Sequence, residues 1–140
     1  MNLVVLERDA GTHVVEAFLD VAGSSLETFR YFNKRDVGEA LGNHLVTIVG
    51  HDDGPVAYGH LDASGDDVWL GICIAEQHVG NGLGRKMMEA LVKYADENGV
   101  EELSLTVDAE NYAAIALYEN FGFAGALCGA HVLMKRRAHG

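Results

Sequence analysis

Three glycines at alternate positions, Gly80, Gly82 and Gly84, stand between an apolar segment, Val68 to Ile74, and an amphipathic one, Leu83 to Asn98. That is where a strand hands over to a helix. Without Cβ atoms the main chain can approach an anion closely, and the start of a helix adds unpaired N–H groups and the positive end of its dipole. The chemistry on offer is a phosphate cradle made by Val79, Gly80, Asn81, Gly82, Leu83, Gly84 and Arg85. Glycine spacing alone fits a tight ligand-free connection equally well. No Lys-Ser or Lys-Thr follows the glycines, as a Walker loop needs, and the turn lies mid-chain instead of opening a βαβ unit, so a nucleoside triphosphate is not expected.

A second motif lies downstream, from Val107 to Phe123. Val107, Asn111, Ala114, Ile115, Leu117, Tyr118, Glu119, Gly122 and Phe123 fit the pattern V-x-x-x-N-x-x-A-I-x-L-Y-E-x-x-G-F. With the glycine turn at its proper distance ahead, this stretch resembles the GNAT superfamily of acyl-CoA N-acyltransferases, over about half the chain (Val68 to Phe123). The turn departs from the family's V-x-P-x-x-[R/Q]-G-x-G-[I/A/L]-G, with Glu76 in place of Pro and Val79 in place of Arg or Gln. Phosphate contact then relies on main-chain amides.

The resemblance implies direct acetyl transfer from acetyl-CoA to an amine, with no acyl-enzyme. It gives Tyr118 the general-acid role beside the sulfur; a phenol with a reference pKa near 10 is protonated at neutral pH, as an acid must be. Asn111 and Tyr118 are seven residues apart, about two helical turns, so they share one face and both look at the co-substrate. The family also bulges and splays the strand ending Gly71-Ile72-Cys73-Ile74, which would free amides of Ile72, Cys73 and Ile74 for the acyl carbonyl and the pantetheine arm. Cys73 as an acyl-enzyme nucleophile lacks an evident base.

Family members often place a glutamate base near this strand, yet Val68 to Ile74 holds no carboxylate. His60 and Asp62 on the preceding strand alternate with Leu61 and so face one side. They are the catalytic candidates, with Asp66, Asp67, His44 and His78 as further options. Phe29, Tyr31 and Phe32 with Arg30 and Arg35 form an aromatic and cationic group in the N-terminal third, where the acceptor would bind, although Phe29 and Phe32 at i and i+3 also suit a core. The acceptor expected is a small-molecule primary amine: an amino sugar, an amino acid or a polyamine-like compound. A protein N-terminal or lysine acetyltransferase is the rival enzyme, and a non-catalytic CoA-binding sensor the rival of another class, which would dispense with Tyr118.

The elements that must position these residues follow from periodicity. Leu3 to Glu7 predicts an edge strand and Thr12 to Val21 a helix capped by Thr12. A short helix is expected around Val37 to Leu41, and strands at His44 to Gly50 and Pro55 to Asp62 join through the turn Asp52-Asp53-Gly54-Pro55 as a hairpin. Asp66 to Ile74 is the next strand. Leu83, Met87, Leu91, Tyr94 and Ala95 recur at helical spacing until Asn98-Gly99, so Met87 and Met88 are core fillers. Glu102 to Val107 reads as strand, Glu110 to Asn120 as helix and His131 to Arg136 as the last strand. The order predicts an α/β fold with a mixed sheet: largely antiparallel N-terminal strands, a central parallel pair and flanking helices, in one domain over 1–140.

Composition agrees. The chain has 140 residues and a formal net charge of −11, and between Asp36 and Gly84 there is no Lys or Arg against eight acids. Such a field disfavours nucleic acid and anionic membranes and favours a cationic acceptor, although it also suits a merely soluble surface. Two cysteines without zinc-ligand spacing predict buried thiols and no metal. No apolar run approaches the roughly 20 residues of a membrane span and the N-terminus has no basic start, so a cytoplasmic protein is expected, with a homodimer left open.

Overall fold

A computed structural model describes residues 1–8 and 10–138. In chain order the elements are β1 (Asn2–Val5), α1 (Thr12–Ala22), a 3-10 turn (Gly23–Glu27), α2 (Val37–Leu41), β2 (His44–His51), β3 (Pro55–Asp62), β4 (Trp69–Ile74), a second 3-10 turn (Glu76–His78), α3 (Leu83–Glu97), β5 (Glu102–Asp108), α4 (Tyr112–Asn120), β6 (Ala124–Cys128) and β7 (His131–Arg137). Among the described residues the strands form one sheet in the order β1-β2-β3-β4-β5-β7-β6, in which only β4 and β5 run parallel.

Strand alternation sends successive side chains of β3 to opposite faces. Tyr58 joins Val15, Phe18 and Ala22 of α1 and Cys73 of β4 in one core layer. Ala57 and Leu61 face the other way, onto Met87, Met88, Leu91 and Ala95 of α3. Full burial of such side chains contributes about 1.5–3 kcal/mol each, so both layers hold β3 inside the sheet. Met87 and Met88 are core fillers, as the helical spacing requires.

The sequence and the structure part at several places, and Cys128, expected as a buried thiol, is exposed. Gly11, not Thr12, is the N-cap of α1 and no side chain caps it; the Gly11 carbonyl accepts from Val14 and Val15. The strand expected from Asp66 begins at Trp69, because residues 64–67 bend in solvent. The last helix opens at Tyr112, with Asn111 as its cap. The sequence predicts no strand at Ala124–Cys128, since its alanines and glycine carry little strand preference and it forms only by pairing antiparallel with β7 as an exposed edge.

Arg136 on β7 is buried and anchors α4. Its guanidinium meets both Asp96 carboxylate oxygens at 3.0 Å, and its Nε donates to the Phe121 carbonyl at 3.0 Å, where α4 ends. Two parallel charge-assisted bonds fix direction as well as distance. The helix that carries Tyr118 is thereby tied to α3 and to the sheet.

Candidate active site

Among the described residues β4 and β5 are bridged only at Trp69 and Ser104, where the Ser104 amide donates to the Val68 carbonyl at 2.9 Å. Beyond that bridge, among the described residues, the strands part. The Ala75 amide donates to the Val56 carbonyl, and with Ala57 opposite Ile74 this sets the phase of the β3–β4 ladder. Alternation along an antiparallel pair then turns the amides of Gly71 and Cys73 toward β3 and those of Ile72 and Ile74 into the gap. The Cys73 side chain is buried in the α1 layer and does not line the cleft; burial pushes its thiol up to about 12.

The glycine turn follows the end of β4 that lies away from this bridge, after the second 3-10 turn. Gly80 and Gly82 have φ of 89° and 78°, and a Cβ at either would meet nothing within 4 Å. Glycine is needed there for its left-handed backbone. Gly82 caps α3 without any side-chain bond, which leaves the first-turn amides at Leu83, Gly84 and Arg85 uncapped and open. Gly84 serves packing instead: a Cβ there would lie 3.3 Å from Leu117 of α4. Glu76, standing where the family pattern has Pro, accepts from Ser24 Oγ at 2.6 Å and ties this turn to the end of α1. Val79 is exposed, and the Arg85 guanidinium sits 5.6 Å over the Phe121 ring. The groups this turn offers an anion are therefore amides, with Arg85 nearby. The residues fit the phosphates of a CoA-type group.

Tyr118 and Asn111 both line a cleft of about 530 Å³ that passes through the gap. Burial, with Cys73 nearby, pushes the Tyr118 phenol up to about 12, so it carries its proton throughout the neutral range. Asn111 spends its Oδ1 on the cap of α4, accepting from the Ala114 amide at 3.3 Å, and keeps its amide donors.

On the other side of the gap the cleft is lined by His60, Asp62, Tyr31, Arg30 and Arg35. Asp62 is 4% exposed, accepts from the Tyr31 hydroxyl at 2.7 Å and from the Ser64 amide at 2.8 Å, and makes no ion pair among the described residues. Burial raises its carboxyl, but the bonds from Tyr31 and Ser64 together with His44 outweigh burial and leave it below the usual range. His60 is buried, and its Nδ1 lies 2.6 Å from the Tyr58 hydroxyl. That hydroxyl has no other partner among the described residues, so it donates, and the hydrogen-bond pattern assigns the ring proton to Nε2, on the side of Gly71. Burial, with His44 and Arg35, pushes the His60 ring far below its ordinary value, so it is neutral.

Over the rim, Arg30 meets Asp108 at 3.1 and 3.4 Å, and His131 reaches the same carboxylate at 3.4 Å. Asp66 and Asp67 are exposed, and His78 lies in the second 3-10 turn outside the cleft lining. Among the described residues no group of three or more His, Cys, Asp or Glu is placed to hold a metal, and no helix is long and apolar enough to cross a membrane.

A sequence profile of the acetyltransferase (GNAT) family matches residues 9–123. The chain belongs to that family. It is 36% identical over 92 residues to a mycothiol acetyltransferase of Kocuria rhizophila, a match covering 65% of this chain and 27% of that protein. It is 44% identical over 52 residues to the ribosomal protein bS18-alanine N-acetyltransferase of Escherichia coli, covering 37% of this chain and 35% of that protein. The chain thus spans about a third or less of the length of these curated relatives. Among solved structures, the PaiA N-acetyltransferase of Thermoplasma acidophilum in complex with coenzyme A superposes with a TM-score of 0.72 at 14% identity, over 99% of this chain and 100% of that one.

The GNAT frame explains the splayed strands and the uncapped helix. The motifs led to Tyr118, Asn111 and the glycine turn, and strand alternation led to His60 and Asp62. The sequence does not show the bond from Tyr31 to Asp62, the bond from His44 to Tyr31 or the Arg30–Asp108 clasp, because each joins residues well separated in the chain. One signal was present: a hairpin turning at Asp53-Gly54 brings His44 opposite Asp62.

Proposed function

We propose that this GNAT chain transfers an acetyl group from acetyl-CoA directly to the primary amine of a small molecule. The observation that carries the reading is Asp62, a buried carboxylate without a cationic partner among the described residues, inside the cleft that Tyr118 and Asn111 also line. Burying an unpaired charge is costly, and a ligand ammonium would relieve the cost.

The CoA phosphates meet the amides from Val79 to Arg85. The thioester lies along the freed amides of Ile72 and Ile74, which stabilise the oxygen that gains charge as the amine attacks. The acceptor's ammonium gives one proton to water, the neutral amine nitrogen then bonds the carbonyl carbon, the C–S bond breaks, and the thiolate takes the Tyr118 proton. Asp62 is too weak a base to strip a free ammonium, so it holds the acceptor. Once the C–N bond forms, the nitrogen's proton becomes acidic and passes to Asp62 or water. His60, with Nε2 protonated, donates into the cleft and does not act as the base.

The Arg30–Asp108 clasp narrows the rim and favours a small acceptor over a folded protein, and the acidic stretch from Asp36 to Gly84 favours a cationic one, an amino sugar, an amino acid or a polyamine. A cytoplasmic location belongs to the same reading. The test is a screen of small amines and of peptides with free N-termini or lysines, with acetyl-CoA present and free thiol as the readout. Turnover of small amines is expected, with kcat/KM falling as salt rises. Turnover of peptides alone would assign the protein-acetylating activity, and binding of acetyl-CoA without any turnover would assign the CoA sensor.

A further inference from the structure

His44 takes no part in the transfer described above, yet it is 1% exposed and bonded through both ring nitrogens. The direction of those bonds follows from counting protons. The Tyr31 hydroxyl has one proton, and Asp62 Oδ2, 2.7 Å away, is a carboxylate oxygen that only accepts. The proton lies on that bond. The 2.8 Å contact between Tyr31 Oη and His44 Nε2 must then be donated by the histidine. With the ring proton on Nε2, the Nδ1 lone pair faces Thr47 Oγ1 at 2.8 Å, and the threonine donates. Each link sends a hydrogen the same way, from Thr47 to His44 to Tyr31 to Asp62.

We propose that Tyr31 and His44 are positioning residues, whose one-way hydrogen-bond chain from Thr47 aims the Asp62 carboxylate into the cleft and keeps it ionised to receive the acceptor's ammonium. The inference rests on the reading of Asp62 as the acceptor's anchor. Thr47 and His44 belong to β2 and do not line the cleft, so the chain acts on Asp62 from behind. Tyr31 comes from a stretch without regular structure between the first 3-10 turn and α2, and the same bonds pin that stretch over the cleft.

The surroundings support this protonation pattern. The His60 ring packs 4.4 Å from His44 and 4.2 Å from Tyr31. Arg35 lies 4.2 Å over the Tyr31 ring and donates to the Tyr31 carbonyl at 2.7 Å, while Arg8 donates to the His44 carbonyl at 2.9 Å. Ser64 supplies the remaining donor to Asp62. Burial, with Arg8 and Arg35 and against the pull of Asp62, brings His44 down to about 4, so the ring is neutral and has the lone pair that Thr47 fills.

The decisive measurement is a carbon-13 NMR titration of the Asp62 carboxyl in the free protein, made in the wild type, Tyr31→Phe and Thr47→Val. The carboxyl should titrate below the ordinary range in the wild type, move upward in Tyr31→Phe, and move upward by less in Thr47→Val. Tyr31→Phe should raise the acceptor KM about tenfold, the loss of one hydrogen bond to a charged group, with the acetyl-CoA KM unchanged. In an Asp62→Asn background the same substitution should have no further effect on the acceptor KM. A tyrosine that only packs would leave the Asp62 titration where it is, and that result in folded Tyr31→Phe overturns the proposal. Should Tyr31→Phe fail to fold, an unmoved carboxyl in Thr47→Val overturns it. If Asp62→Asn leaves the acceptor KM unchanged, the anchor reading fails, while the titration still decides whether the chain exists.

Discussion

His60 and Gly71 face each other across β3 and β4 so closely that a Cβ at 71 would overlap Nε2 and Cε1 of the imidazole and stand 3.1 Å from Cδ2. Glycine weakens a strand interior, so its presence here needs a reason, and the reason is the volume of the ring. Gly71→Ala should push the His60 Nε2–H away from the cleft. The expected result is a folded protein destabilised by about 1–3 kcal/mol, as for overpacking, with kcat/KM for the amine reduced more than tenfold. Steady-state kinetics and urea denaturation measure both, and wild-type kcat/KM would show that the position of His60 is irrelevant to transfer.

At the glycine turn, charge can be separated from backbone strain. Gly82 has φ of 78°, and a side chain there would enter open space. Asn and Asp share the same size and tolerate the left-handed region comparably, so Gly82→Asn and Gly82→Asp should cost similar stability, about 1 kcal/mol. Only the aspartate adds negative charge where phosphate oxygens are proposed to bind. Calorimetry with acetyl-CoA should therefore give affinity at least tenfold weaker for Asp than for Asn. Equal affinities would remove the phosphates from this turn.

How far the sequence reached depended on how local each feature was. The hairpin at Asp52 to Pro55, the helix from Leu83 and the cap at Asn98 are set by residues within a few positions of one another, and all were legible. Asn111 and Tyr118 were legible for the same reason, since one helix spaces them. β6 was not, because only its partner β7 makes Ala124–Cys128 a strand. Tyr31 was recognised as part of an aromatic group, but not as the donor to Asp62, because thirty-one positions and an irregular segment separate the two. The protonation of His60 was equally out of reach, as it depends on the Tyr58 hydroxyl having a single partner.

The Arg30–Asp108 clasp is exposed, with side-chain exposures of 51% and 27%, and such pairs contribute at most about 1 kcal/mol to stability. Asp108→Asn should leave the melting temperature nearly unchanged. Because Arg30 and Asp108 both line the cleft, the acceptor KM should change instead, by at most about fivefold, while the acetyl-CoA KM stays constant. A change confined to the acetyl-CoA KM would place the clasp on the wrong side of the gap.

Tyr118→Phe separates proton donation from binding. The ring and its packing against Phe123, 6.1 Å between centroids, remain, and only the hydroxyl goes. A general acid predicts kcat lower by about 10²- to 10⁴-fold, or by less where water substitutes, with acetyl-CoA affinity little changed. The sign of the pH dependence follows from burial, which holds the wild-type phenol protonated until about 12. Tyr118 therefore introduces no alkaline fall in wild-type kcat between pH 7 and about 10, the ordinary range for a phenol. Full kcat in Tyr118→Phe, measured where the chemical step limits, would take the acid role away. A variant that lost acetyl-CoA affinity alone would make Tyr118 a binding residue, and the proton on the leaving thiolate would then come from solvent.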